Sequence, residues 1–181
     1  MRIVVHVAVS LDGATGGFAP DRKAYYELAG TFGEDVTLTG ADTILAQEAA
    51  LAEAPMPGPT VGAPLLAVVD SRGRVTAWDA LRDCGHWSGV VALRSRSSLV
   101  ADIEALGGDV VRVDSGGTLN GALLRAGVVD EVSLLVHPVV VGEGRRWWGA
   151  APGVGLSLRA VERRDGLVWL RYAVAGRTSA A

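Results

Sequence analysis

Ser115-Gly116-Gly117-Thr118 stands between a β-branched run (Val110, Val111, Val113) and a stretch of helix formers. In that stretch Leu119, Leu123 and Leu124 are spaced for one face. A strand, paired glycines and a helix start together can hold an anion. Glycines let the backbone take positive φ and approach a ligand closely. The first-turn N–H groups of a helix lack partners within it, and a phosphate supplies them. The same residues also read as a tight turn with Ser115 or Thr118 as an ordinary N-cap, and the full dinucleotide fingerprint is absent.

Three other strand ends carry related chemistry. Gly40-Ala41-Asp42-Thr43 leads from a short strand, residues 36–38, into a helix reaching about Leu51. Ser71-Arg72-Gly73-Arg74 follows the strand 64–69, and Arg94-Ser95-Arg96-Ser97-Ser98 follows the strand 89–93. Arginine forks match phosphate geometry, although each cluster alone also reads as a solvated loop. Ligands on parallel sheets bind at the carboxyl ends of the strands. Four such ends in one chain point to a nucleotide.

The elements that must position these groups follow from periodicity. Residues 2–9 read as a strand buried on both faces, closed by Ser10-Leu11-Asp12-Gly13. Gly16 and Gly17 then make either a mobile loop over a site or a plain surface loop. Pro20-Asp21 opens a helix to Leu28, with Asp21 where the helix dipole favours a carboxylate. A proline-rich loop, 53–62, precedes further strand–helix pairs, with helices at about 78–82 and up to Leu106. Residues 131–141 read as a long apolar strand near a sheet edge. Residues 156–163 and 167–174 form a hairpin turning at Arg164-Asp165-Gly166. The pattern predicts one α/β domain over residues 1–175: a sandwich with a mostly parallel, mixed sheet and a C-terminal antiparallel hairpin. Residues 176–181 are expected to be a disordered tail.

Composition limits the partners. The net charge of −3 shows no basic excess for nucleic acid, and no apolar run reaches membrane length. The single cysteine, Cys84, cannot make an internal disulfide, which suits a reducing cytoplasm. His6, His86 and His137 are far apart in the sequence, so no metal ligand set is expected.

Several segments together carry a resemblance. They are Val5-His6-Val7-Ala8-Val9-Ser10-Leu11-Asp12-Gly13, Gly40-Ala41-Asp42-Thr43-Ile44-Leu45-Ala46, Val68-Val69-Asp70-Ser71 and Gly116-Gly117-Thr118-Leu119. Leu124-Arg125-Ala126-Gly127-Val128-Val129-Asp130-Glu131 and Pro138-Val139-Val140-Val141-Gly142 complete the set. In this order the chain resembles the dihydrofolate reductase-like superfamily. More closely, it is similar to the reductase domain of the bifunctional riboflavin-biosynthesis deaminase–reductase, with no trace of the deaminase half.

The resemblance implies a three-layer α/β/α sandwich of the dihydrofolate reductase type, a homodimer, and NADPH as hydride donor. It places Ala8 at the nicotinamide through its backbone, and Gly40 and Thr43 at a helix start facing the pyrophosphate, with Thr43 as cap. Ser71, with Arg72 beside it, would lie near the 2′-phosphate, and Arg94 in the second cluster is a further cofactor-binding candidate. Gly116, Gly117, Thr118, Leu119 and Asn120 would cradle the pyrophosphate. Ser10, Asp12 and Leu51 fall on the substrate side. In the family the reaction reduces the sugar end of a pyrimidine phosphoribosylamine to a ribitylamine.

The departures from the family pattern concern the substrate. Asp114 stands where the family often has a substrate-contacting glutamate. Ala46-Gln47-Glu48-Ala49-Ala50-Leu51 replaces an aspartate-rich segment, and Ala14 replaces a basic residue. No arginine occurs near Thr31 or Ala54 to hold a substrate phosphate; Arg22 and Lys23 are the available substitutes. The expected function is an NADPH-dependent reductase of a pyrimidine or related heterocycle. The alternatives are a dihydrofolate reductase, with Asp21 as catalytic acid unless it is a simple N-cap, and a non-catalytic NADPH-binding module.

Overall fold

The structure is a computed structural model that describes residues 1–94, 97–149 and 153–175. Ser95 and Arg96 of the second arginine–serine cluster lie outside the described residues, as does the 176–181 tail. The strands are β1 (Arg2–Ser10), β2 (Val36–Gly40), β3 (Leu65–Val69), β4 (Gly89–Leu93), β5 (Val110–Val113), β6 (Glu131–His137), β7 (Leu156–Arg164) and β8 (Leu167–Val174). The helices are α1 (Arg22–Ala29), α2 (Ala41–Leu45), α3 (Glu48–Ala52), α4 (Trp78–Asp83), α5 (Leu99–Leu106) and α6 (Gly117–Arg125). The sheet has eight strands in the order β4-β3-β2-β5-β1-β6-β8-β7, mostly parallel and ending in an antiparallel hairpin. That is the expected fold class.

Two compact units make up the chain: residues 34–111, and residues 2–33 with the chain from Arg112 onward. In the first unit β2, β3 and β4 are parallel, with Val36 opposite Leu65 and Leu65 opposite Gly89. Ala41, Ile44, Leu66, Val68, Val75 and Leu81 form its apolar cluster, with Leu51 and Trp78 packed against it. Asp35 fixes the start of β5, because its carboxylate accepts from the N–H groups of Asp109 (2.7 Å) and Val110 (2.9 Å). The expected single helix from residue 40 to 51 is two short ones. Gln47 leaves the helical region (φ −111°, ψ 0°) and its N–H closes back three residues onto the Ile44 carbonyl at 2.8 Å.

In the second unit β1 runs parallel to β6, and β8 pairs antiparallel with both β6 and β7. β1 is buried almost throughout, as a strand covered on both faces should be. Its interior carries one polar residue, His6, in a satisfied network. The Tyr25 carbonyl can only accept, so the bond at 3.2 Å places a proton on Nε2. The Ser133 hydroxyl accepts from Trp169 Nε1 at 2.7 Å and donates to Nδ1 at 2.9 Å. Desolvation by burial lowers the pKa of His6 to about 4, which keeps the ring neutral in this tautomer.

Two expectations about residues 131–141 are corrected. The strand stops at His137, because Pro138 has no N–H for a further ladder bond. It also lies between β1 and β8, while the edge on that side of the sheet is β7. β7 is exposed along most of its length, with Leu158 and Val161 both at 56%. The hairpin turn is as its sequence indicates: Asp165 (φ 44°) and Gly166 (φ 87°) are both left-handed, the conformation that Asp-Gly favours in a two-residue turn.

Candidate functional site

In the first unit the carboxyl ends of β3 and β4 bring three predicted residues together around Asp70. This carboxylate is buried and accepts from the N–H groups of Arg74 and Val75, each at 3.0 Å, and from Arg94 Nη1 at 3.3 Å. Burial pushes its pKa up, but those N–H bonds and the Arg94 charge outweigh it and hold the carboxyl below its usual range. Arg94 also lies 5.5 Å from the Trp78 ring centroid. Ser71 is half-buried and Arg72 exposed on the same turn. Arg74 pairs with Asp42 at 2.6 Å, which ties the β3 turn to α2.

The expected cap at α2 is different. Gly40 is the N-cap residue and no side chain caps the helix, whereas Thr43 sits inside it, half-buried. Leu51 lies on α3 against the apolar cluster.

In the second unit the paired glycines have two separate reasons. Neither takes positive φ; Gly116 is extended (φ −82°, ψ 178°) and N-caps α6 with no side-chain cap bond. The alternative of a Ser115 or Thr118 side-chain cap is therefore not realised. A Cβ on Gly117 would overlap the Arg146 carbonyl oxygen and stand 2.7 Å from Gly149 N. Conversely, a Cβ on Gly149 (φ 51°) would stand 2.8 Å from Gly117 C. The two glycines let backbone meet backbone. A Cβ on Gly116 would meet nothing within 4 Å, so the space beside the helix start is open. Thr118 is exposed there and Leu119 is buried. Asn120 lies underneath: its Nδ2 donates to the carbonyls of Ser115 (3.0 Å) and Trp147 (2.8 Å), and its buried Oδ1 has no partner.

Asp12, expected on the substrate side, is occupied by the protein itself. Its carboxylate accepts from Ser10 Oγ (2.7 Å), Val141 N (3.1 Å), Gly142 N (2.9 Å) and Arg146 Nη1 (3.0 Å). Those bonds, led by the Ser10 hydroxyl, hold it far below the usual carboxylate range. Ser10 Oγ in turn accepts from Ala14 N at 2.8 Å. Leu11 N–H donates to the Val139 carbonyl and Thr15 N–H to the Arg145 carbonyl, so the glycine-rich loop is pinned along the 139–146 segment.

Asp21 is exposed and caps α1, accepting from Ala24 N at 2.9 Å. Its own N–H donates to His137 Nε2 at 2.9 Å. Asp114 is half-buried, and its Oδ2 lies 3.3 Å from Arg112 Nη1. Burial, together with the adjacent Asp114 charge, pushes the Tyr25 phenol well above its ordinary value, and the hydroxyl donates to the His6 carbonyl at 2.9 Å. Ala8, half-buried, stands opposite Leu135 in the β1–β6 register. Sequence reasoning passed over Arg112, Arg146 and Gly149. Only Arg112 left a signal, as a lone charge inside the β-branched run of β5.

The profile of the RibD C-terminal domain matches residues 2–165. No curated protein matches the chain significantly. Among solved structures, a pyrimidine reductase-like protein from Corynebacterium diphtheriae is similar at 15% identity and a TM-score of 0.70, with 97% of this chain and 92% of that one covered. A riboflavin biosynthesis reductase from Saccharomyces cerevisiae aligns at 17% identity and a TM-score of 0.66, with coverage of 96% and 90%. A diaminohydroxyphosphoribosylaminopyrimidine deaminase/5-amino-6-(5-phosphoribosylamino)uracil reductase from Thermotoga maritima aligns at 15% identity and a TM-score of 0.70. There 96% of this chain is covered but only 56% of the longer protein.

Proposed function

This chain belongs to the RibD C-terminal domain family, and from that premise we propose that it is an NADPH-dependent reductase of a pyrimidine or related heterocycle. The observation that carries the reading is the open space at Gly116 beside the first turn of α6. A glycine with no steric reason of its own, next to N–H groups without helical partners, fits a phosphate. Ser71, Arg72 and Arg94, gathered on the β3 and β4 turns, fit a second phosphate group, the one that distinguishes NADPH from NADH. When bound, NADPH would supply the hydride.

The chain's own residues hold and orient. Gly116, Gly117, Thr118 and Leu119 offer the pyrophosphate site, with Asn120 bracing the turn from below. Gly40 and Thr43 stand at the start of α2, and the Ala8 backbone orients the nicotinamide. Asp114 faces the heterocycle. Ser10 and Asp12 act by fixing the loop after β1, and Leu51 by packing α3. Asp21 serves α1 as its cap, so a dihydrofolate reductase reading gains no proton donor from it. Cys84, buried with its thiol donating to the Leu81 carbonyl, suits a cytoplasmic protein.

Fluorescence titration should show NADPH binding at least tenfold tighter than NADH, with the difference lost in Arg72→Gln. A charge-assisted hydrogen bond contributes roughly 1.5–3 kcal/mol. Equal affinities would remove the 2′-phosphate assignment. Turnover is then followed with the phosphoribosylamino pyrimidine and its dephosphorylated analogue side by side. Because no arginine stands near Thr31 or Ala54, the unphosphorylated compound is expected to be the better substrate. Lys23 is directed to Glu27, at 3.9 Å, which weakens it as a substitute phosphate ligand. Efficient use of the phosphorylated compound, unaffected by neutralising Arg22 and Lys23, would overturn that preference.

We further propose that the chain works as a homodimer through β7. This strand exposes Leu156, Leu158 and Val161 on the sheet edge, a surface that monomers seldom leave open. Light scattering at micromolar concentration should give twice 18.7 kDa. Particles of the single-chain mass, or a dimer that survives Leu158→Lys with Val161→Lys, would rule out this surface.

A further inference from the structure

We propose that Arg112 is the positioning residue for Asp114, fixing its carboxylate so that it meets the substrate as a hydrogen-bond acceptor. The inference rests on the reductase reading, in which Asp114 faces the heterocycle. Arg112 and Asp114 are two residues apart at the end of β5, so their side chains leave on one face. Their exposures differ sharply: the Arg112 side chain is 3% exposed and that of Asp114 is 27%. The guanidinium therefore lies behind and the carboxylate in front, with Nη1 3.3 Å from Oδ2. A charge this deep in a strand otherwise made of valines is costly. An apolar residue would fill the place without that cost, so the burial calls for a reason at the carboxylate.

The Tyr25 hydroxyl donates to the His6 carbonyl and also lies within hydrogen-bond reach of Asp114, and the His6 ring is satisfied by Ser133 and the Tyr25 carbonyl. Arg112 and Asp114 act on His6, Tyr25 and Tyr26 with opposite signs, which makes them one neutral unit in front of those rings. Arg22 also acts on Tyr26. A neutral, oriented carboxylate–guanidinium unit favours an uncharged ring that presents N–H or O–H donors. A bare carboxylate would favour a cationic ring instead. The substrate class this points to is a neutral heterocycle docked by its donor edge.

The test compares the full chain with Arg112→Met, Arg112→Gln and Arg112→Lys. Met and Gln remove the charge, and Gln serves if Met does not fold. Asp114→Asn is avoided because it would take the counter-charge from a buried guanidinium. NADPH affinity is expected to stay within twofold in all variants. Turnover of the phosphoribosylamino pyrimidine and its dephosphorylated analogue should lose at least tenfold in kcat/KM with Met or Gln, mainly through KM. Lys should recover most of that loss. In the absence of substrate, the His6 titration followed by proton NMR should move upward from about 4 when the charge is removed, and return toward it with Lys. A folded Met or Gln variant with the parent's KM overturns the proposal. If the parent binds no NADPH and reduces neither compound, the reductase reading fails on its own. The His6 titration then decides: a midpoint unmoved by Arg112→Met or Arg112→Gln overturns the role of the charge.

Discussion

Gly116→Asp should lose NADPH affinity by about 100-fold or more, equivalent to ~3 kcal/mol, while unfolding at the same denaturant concentration as the parent. The position is extended, not left-handed, and an added Cβ meets nothing within 4 Å, so the fold has no objection to a side chain. The objection comes from a ligand phosphate, which would face a carboxylate in place of open space. Its neighbour should behave in the opposite way. At Gly117 even alanine would drive a methyl group into the Arg146 carbonyl and against Gly149 N. Gly117→Ala is therefore expected to destabilise the protein by roughly 3 kcal/mol or more, as an overpacked backbone contact. Urea denaturation and NADPH titration on both variants check the pair. Parental NADPH affinity in Gly116→Asp would make the glycine loop a turn with no ligand, and parental stability in Gly117→Ala would contradict the close approach.

Acid should weaken the fold through His6 before it reaches the carboxylates. The unfolded chain takes up a proton at the ordinary histidine value of 6.5, whereas the folded ring does so only at about 4. Between those values the unfolded state binds more protons, so stability falls as pH falls, and the contribution is fully present above 6.5. The total is about 3 kcal/mol, and roughly 2–3 kcal/mol of it is lost by pH 4.5. Asp12 titrates below this window: its pKa is lowered, so the stability it contributes holds above the ordinary carboxylate value and goes only in stronger acid. Unfolding free energies at pH 7, 5.5 and 4.5 should show the slope in the parent and lack it in His6→Gln. The amide can still donate to the Tyr25 carbonyl and accept from Ser133, but does not titrate. An equal slope in both would place the acid sensitivity elsewhere.

By itself the sequence determined the local units: strand, turn and helix in repetition, the Asp165-Gly166 hairpin, Asp21 as a helix start, and the glycine pair at the head of α6. Each depends on neighbours within a few residues, where backbone sterics and side-chain period act directly. It also determined the family, because several modest segments recur in order along the chain. Tertiary structure decided which groups remain available. Asp12 reads as a free carboxylate beside a site, yet segment 141–146, some 130 residues later, takes up its oxygens. Gly117 reads as half of a phosphate loop, yet its lack of a side chain is required by Gly149. The strand 131–137 reads as an edge, but β8 covers it and leaves β7 exposed. Arg112 reads as an interruption in a strand until its burial behind Asp114 is seen. In each case the deciding partner is distant in sequence, and a local pattern carries no information about which donors or backbones a fold will bring against it.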